Sequence, residues 1–569
     1  MIRNALSKIS HHEYYGHILF LSVWLILNLF QAASTELAHD ESYYWMYSRI
    51  LDWGYFDHPP MVAFLVNIGY AMFQNELGAR FFFVLMGGGT LFLIYQLLPK
   101  NYKNIPFYYL VVFSIILVNA HFAGFLAIPD IPLIFFSTLF LFFYKKYLED
   151  EKISYALFLG ILAAAMIYSK YHSVLVIFFI VLSNFSLFRK KNFYLAIITA
   201  AALLVPHLLW QMNHGFPTFT YHLVERSSSY KPLFTWNYIY SQLLLTGPLI
   251  GVFLLFFAFK KKPTSTFEKS LKYLMVGFFI FFFFMSFKGR VEAHWLAAAY
   301  IPLIVFSVVS IEKTKTIKKV IYILGFISIG LILTARIFLA SNKLAEKAGI
   351  QSQFHHWEKW ADKIAEKAAG RPVIFINKYQ YPSKYTFYSG EFSTALSSIY
   401  YHKTQFDLWN FEDSLQGKEV LLTKTSNPTD TIYTRAQKEI RYEVIDNFQS
   451  FFNSVTINVN PTEMEIAASD SIDVMLNIIN NKNEPLSFDQ NPDMPSHLCY
   501  SIFSRGKAVD VCKKIDFHLP ELGASDTIKT RATLSPVGKT GNFQLLFSIH
   551  TSKLLPAKNG GSIDLEIHD

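Results

Sequence analysis

Residues 128–146 read IPDIPLIFFSTLFLFFYKK, with Asp130 at one end, Lys145 and Lys146 at the other and no charge between them. At about 1.5 Å per helical residue, the run is as long as the roughly 30 Å hydrocarbon core of a bilayer. It therefore reads as a spanning helix. Lysine and arginine are retained on the cytoplasmic side, so this one stretch also sets an orientation, with a carboxylate at the outer end.

Comparable runs lie near residues 15–33, 79–98, 105–121, 153–169, 172–188, 193–210, 237–259, 273–287, 296–311 and 320–339. With 128–146 they predict a mainly α-helical polytopic membrane protein of about 11 transmembrane helices. With the N-terminus cytoplasmic, inner segments hold 19 of the 27 Lys and Arg in residues 1–340, and an odd number of spans places residues 341–569 outside. Arg3, Lys8, the apolar stretch from Ile18 to Phe30 and Ala32-Ala33-Ser34 also describe a cleavable signal peptide. Residue 40 is external in either case.

Hydrophobic residues make up 52% of the 569 and charged residues 16%, which excludes a disordered or collagenous chain. The net charge of +9 is uneven: residues 1–340 carry 27 basic and 15 acidic side chains, residues 341–569 carry 24 and 27. Membrane lipids are the expected surroundings, and nucleic acid is not an expected partner. Three domains follow: a transmembrane domain over 1–340 with an external loop at 34–78, an external α/β domain over 341–450, and an external β-sandwich over 451–569.

In the α/β segment, Ala345, Phe354, Trp357, Trp360 and Ile364 have helix-like spacing, and residues 373–376 and 420–422 are strand-like. From 451 onward, alternating runs at 455–459, 472–478 and 543–549 are separated by turn residues, as in a sandwich. Carbohydrate binding and a plain spacer are its two readings, the spacer being favoured. Cys499 and Cys512 lie in this tail, where an oxidising compartment permits a disulfide; two unpaired thiols are the alternative.

Ionisable residues are costly near lipid and mark function when they gather on one side. Here they gather outside: Asp40-Glu41, Asp57-His58, Asp130, Lys170 between two apolar spans, Glu225-Arg226 with Lys231, and residues 288–295 with Arg290 and His294. Adjacent acids suit a general base, and cations suit phosphate. Capping acids and a snorkelling lysine are the bland alternatives. Residues 44–50 and 61–72 suggest short helices along the membrane surface. No metal signature is present, although a divalent metal is compatible with these carboxylates, and no cofactor is required by the motifs.

Together, Asp40-Glu41, Gly54-Tyr55-Phe56-Asp57-His58-Pro59-Pro60, Pro129-Asp130, Ser169-Lys170-Tyr171 and the 288–295 motif resemble bacterial polytopic glycosyltransferases of the GT-C class. More narrowly, they are similar to the protein mannosyltransferases of glycosyltransferase family 39 and to the lipid A aminoarabinose transferases. The resemblance covers roughly residues 10–340.

It implies inverting transfer of a monosaccharide from a polyprenyl-phosphate donor to a lipid, glycan or protein acceptor, on the outer face of the bacterial inner membrane. Asp40, Glu41 and Asp57 would be the catalytic set. His58, Asp130, Lys170, Arg226, Arg290 and His294 would bind substrate and phosphate. One departure is His58, where the aminoarabinose transferases carry lysine; imidazole binds phosphate weakly unless protonated. The competing function is a polytopic transporter or lipid flippase, whose sites tend to lie near the bilayer midplane on interrupted helices.

Overall fold

The computed structural model describes residues 11–103, 105–118, 124–222, 230–350, 352–423, 430–432, 440–519, 521–535 and 537–568. Arg3, Lys8, Glu225 and Arg226 lie outside the described residues. The chain divides into two compact units, Met1–His355 and His356–Asp569.

The first unit is helical: α1 (His11–Ser34), α2 (His39–Arg49), α3 (Met61–Met72), α4 (Glu76–Leu97), α5 (Pro106–Val118), α6 (Asp130–Glu149), α7 (Ile153–Ser169), α8 (Ser173–Ser183), α9 (Lys191–Asn213), α10 (Pro217–Thr220), α11 (Pro232–Leu245), α12 (Gly251–Lys260), α13 (Thr266–Met285), α14 (Tyr300–Ile311), α15 (Lys315–Ala340) and α16 (Asn342–Lys347). Among the described residues, six helices are long and apolar enough to cross a membrane, with five shorter apolar ones beside them.

The difference from eleven uniform spans has local causes. The run expected over 237–259 is split, because Gly247 has φ 124° and Pro248 cannot continue the helical hydrogen bonding, so α11 ends and α12 begins anew. The run over 172–188 is α8 followed by a 3₁₀ turn at Phe185–Arg189, and the run over 296–311 opens as a 3₁₀ turn at Ala293–Ala299. Helix α9 exposes apolar side chains such as Ile198 and Leu209, and α15 exposes Phe326. Such faces are costly to leave in water.

The two short helices predicted between the first spans are α2 and α3. Helix α2 is more enclosed than a surface helix, since Glu41 through Ser48 are all buried. Helix α3 does keep one open face, with Phe64 and Met72 exposed. It packs so closely on the start of α4 that a Cβ at Gly69 would come within 2.2 Å of the Gly78 carbonyl oxygen.

In the second unit, α17 (Trp357–Ala368) gathers Trp357, Trp360 and Ile364 of the predicted helical pattern, while Ala345 belongs to α16. Helices α18 (Gln380–Ser389) and α19 (Gln405–Trp409) accompany a mixed sheet of β1 (Val373–Ile376), β2 (Ser393–Leu396), β3 (Val420–Thr423), β4 (Asp430–Ile432) and β5 (Ile440–Ile445), in the order β2-β1-β3-β5-β4. Strand β1 runs parallel to β2 and β3.

Two further sheets form the sandwich. One has the order β10-β9-β12-β13-β7 and the other β11-β8-β6, built from β6 (Val455–Asn460), β7 (Glu463–Ala467), β8 (Ile472–Asn480), β9 (Ser496–Ser504), β10 (Lys507–Lys514), β11 (Thr527–Leu534), β12 (Gly541–Thr551) and β13 (Ser562–His568). Alternation buries Ile472, Val474, Leu476 and Ile478 on one face of β8. A disulfide joins Cys499 and Cys512. The mixed sheet and the sandwich share a core, in which Ile374, Leu396 and Leu422 pack with Met494, Leu554 and Ala557.

Candidate active site

Helical spacing sorts the first turns of α2 into two faces. Asp40, Tyr44 and Tyr47, at i, i+4 and i+7, share one of them. The Tyr47 hydroxyl donates to Asp57 Oδ1 at 2.6 Å, and the Tyr44 hydroxyl shares a 2.9 Å hydrogen bond with His58 Nε2. Burial raises the Tyr44 phenol well above its ordinary pKa, and the nearby charges of Asp40, Asp57 and Asp130 raise it further. Tyr44 therefore stands within electrostatic reach of three carboxylates that the sequence separates by up to ninety positions.

Asp40 is exposed and Glu41 is fully buried. Glu41 turns to the other face of α2 and forms a bidentate pair with Arg80, at 2.7 Å to Nε and 2.6 Å to Nη2. Burial raises the Glu41 carboxyl, and Arg80 with the Ala127 and Ala38 amides outweighs it, so the pKa lies below the usual value.

Asp130 opens α6, and Lys170 caps the C-terminal end of α7. Their side chains meet at 2.8 Å, and His294 Nε2 lies 3.8 Å from the other Asp130 oxygen. The structure thus brings Asp130, Lys170 and His294 together. Arg290 is placed differently: its side chain is 70% exposed, and its guanidinium lies 3.2 Å from Glu292.

His58 Nε2 is 3.9 Å from Asp57. Burial lowers its pKa to about 4, with Lys170 and His222 also opposing the proton while Asp57 and Asp130 favour it. The imidazole is neutral at neutral pH, so it offers hydrogen bonds rather than charge.

The segment carrying Asp57 is held by residues the sequence reading did not single out. Trp210 Nε1 donates to Asp52 Oδ2 at 2.7 Å, and His207 Nδ1 meets the Trp53 carbonyl at 2.6 Å. Thr218 donates to the Tyr55 carbonyl, and His222 Nε2 lies 3.1 Å from the Asp57 carbonyl. Trp210 lies flat against Gly54, where a Cβ would approach its ring to 2.4 Å. Among the described residues, the one group of three His, Cys or acidic donors close enough to share an ion is His497, Cys499 and Cys512. Its sulfurs are joined to each other.

Residues 57–210 match the family described as dolichyl-phosphate-mannose-protein mannosyltransferase.

A lipid A galacturonosyltransferase, RgtD of Rhizobium johnstonii, is 21% identical over 305 residues, covering 50% of this chain and 62% of that protein. An uncharacterized protein of Aquifex aeolicus is 34% identical over 114 residues, 19% of this chain and 22% of its own length. The chain therefore spans less than two thirds of each of these relatives. The crystal structure of ArnT from Cupriavidus metallidurans in the apo state shares the fold at TM-score 0.55 and 12% identity, covering 75% of this chain and 97% of that one. The same protein bound to undecaprenyl phosphate gives 0.54 and 13% over the same shares.

Proposed function

We propose that this chain transfers a monosaccharide from a polyprenyl-phosphate donor to a lipid acceptor on the outer face of the bacterial inner membrane, with inversion at the anomeric carbon. The observation that carries the reading is the buried Asp130–Lys170 pair, with Asp57 and His58 hydrogen-bonded by Tyr47 and Tyr44 of the helix whose first turn holds Asp40. Undecaprenyl phosphate bound to a protein of the same fold supports the donor class. The name of RgtD supports a lipid A-like acceptor and a uronic acid as the first sugar to try.

In this mechanism Asp40, the exposed carboxylate, takes the proton of the acceptor hydroxyl as that oxygen attacks the anomeric carbon. The bond to the phosphate oxygen breaks as the new glycosidic bond forms, and the electron pair leaves with the phosphate. The Lys170 ammonium has three donors, one of them spent on Asp130, and it stabilises the charge developing on the leaving group. Asp57, fixed by Tyr47, and neutral His58, fixed by Tyr44, offer hydrogen bonds to sugar hydroxyls. His294 extends the polar wall through Asp130. A deletion strain tests the reading: mass spectrometry should show loss of one monosaccharide from surface glycolipids and accumulation of its polyprenyl-phosphate form. Unchanged glycans and lipid carriers would refute it.

A further inference from the structure

Arg80, on α4, has five N–H donors, and each has an acceptor. Nε and one Nη2 bond reach the two oxygens of Glu41. The others reach the carbonyls of Ala32 at 2.9 Å, Thr35 at 2.5 Å and Glu36 at 3.0 Å, at the end of α1. Glu41 is equally committed: beyond Arg80, its oxygens accept from the backbone amides of Ala38 at 2.8 Å and Ala127 at 2.7 Å. Both side chains are 0% exposed, so neither group is available to a substrate.

The pair therefore ties four chain segments to one point. Asp40 directly precedes Glu41, and Asp130 follows Ala127 by three residues. From this geometry we infer that Glu41 and Arg80 are positioning residues of the transfer reaction: their ion pair fixes the start of α2 to the segment before α6 and so sets the separation of Asp40 from Asp130. The inference rests on the proposed glycosyl transfer, since it names what that separation serves. It gives the second acid of the Asp40-Glu41 pair a task different from the first.

The physical reason for a buried charge here is geometric. A guanidinium and a carboxylate form two parallel bonds in one plane, so their register is fixed in a way that apolar packing does not enforce. Near-attack geometry is sensitive, and a displacement of about 1 Å can cost about 10²-fold in rate. Replacing both members of a buried pair by apolar residues of similar volume is commonly tolerated by the fold, whereas removing one is not. That difference separates positioning from stability.

The test uses the full-length chain in proteoliposomes, as wild type, Glu41→Gln and the double variant Glu41→Met with Arg80→Met. Three quantities are read: affinity for undecaprenyl phosphate, transfer of galacturonic acid from its undecaprenyl-phosphate carrier to lipid A, and hydrogen–deuterium exchange of residues 38–49 and 124–130. The double variant should insert and stay folded at the assay temperature, with a lowered melting temperature because the carbonyls of Ala32, Thr35 and Glu36 and the amides of Ala38 and Ala127 lose their side-chain partners. Its undecaprenyl phosphate affinity should stay within about threefold, its kcat should fall by about 10²-fold, and exchange should accelerate in both segments together. Normal kcat in the folded double variant, or unchanged exchange in either segment, would overturn the inference. If the wild type itself transfers nothing, the glycosyltransferase reading with this donor and acceptor fails, and the paired exchange of the two segments still decides the positioning claim.

Discussion

Lys170 Nζ donates to Asp130 Oδ1 across 2.8 Å, with side chains only 7% and 4% exposed. Removing one member leaves an uncompensated buried charge, at a cost of about 3–5 kcal/mol. Asp130→Asn should therefore lower both the melting temperature and the transfer rate. The double replacement of Asp130 by Leu and Lys170 by Met should recover most of the melting temperature but none of the transfer. Recovery of both would reduce the pair to a structural role.

His58 makes stability depend on pH in a defined window. Its folded pKa is depressed to about 4 from 6.5, so between these values the unfolded chain binds the proton more readily. Stability is complete above about 6.5 and is lost as pH falls toward 4. Melting temperatures across that range should decline in the wild type and decline less steeply in His58→Asn. Parallel curves would mean that His58 does not titrate in this way.

Gly54 allows the Trp210 ring to lie against the backbone three residues before Asp57. Overpacking of this kind costs about 1–3 kcal/mol. Gly54→Ala should reduce stability by that amount and impair transfer by displacing Asp57, while Gly330→Ala, on α15 with nothing within 4 Å of its added Cβ, should be silent. Equal melting temperatures and rates for the two variants would contradict this packing argument.

The second unit should not be divisible near residue 447. The core shared by Ile374 and Leu422 with Met494 and Leu554 crosses that point. Buried Glu412 also accepts from Ser450 and from the amides of Phe452 and Asn453. A chain ending at Asn447 should expose apolar surface and be cleared by proteases. One ending at His355, where the compact units divide, should insert and retain part of its transfer activity, since every proposed catalytic group precedes residue 300. Equal steady-state levels of the two truncations would argue against the shared core.

Asp130 and Lys170 were readable in the sequence because an ion beside a long apolar run is expensive and therefore conspicuous. Asp40 stood out beside its neighbour, but adjacency hid the difference between the two acids. A rotation of about 100° per residue turns Glu41 toward Arg80 while Asp40 stays exposed. Arg80 carries no mark in the sequence that sets it apart, and only its five acceptors distinguish it. The contacts of His207, Thr218 and His222 fall on backbone carbonyls of residues 53, 55 and 57, and a carbonyl leaves no mark in a sequence. The sandwich was visible through its two-residue alternation. Its core shared with the α/β sheet was not, because Met494 and Leu554 meet Ile374 only after more than a hundred residues of chain.

The central claim is that Asp40 is the base. Asp40→Asn keeps the side-chain size and leaves the Glu41–Arg80 pair intact, so the variant should fold, insert and bind undecaprenyl phosphate as the wild type does. Loss of a positioned general base costs about 10²–10⁴ in rate. The decisive measurement is single-turnover transfer by purified Asp40→Asn from an undecaprenyl-phosphate-linked sugar to lipid A, beside the wild type. A rate lowered by that factor, with donor binding intact, is the predicted result; a rate within a few-fold of wild type would contradict it.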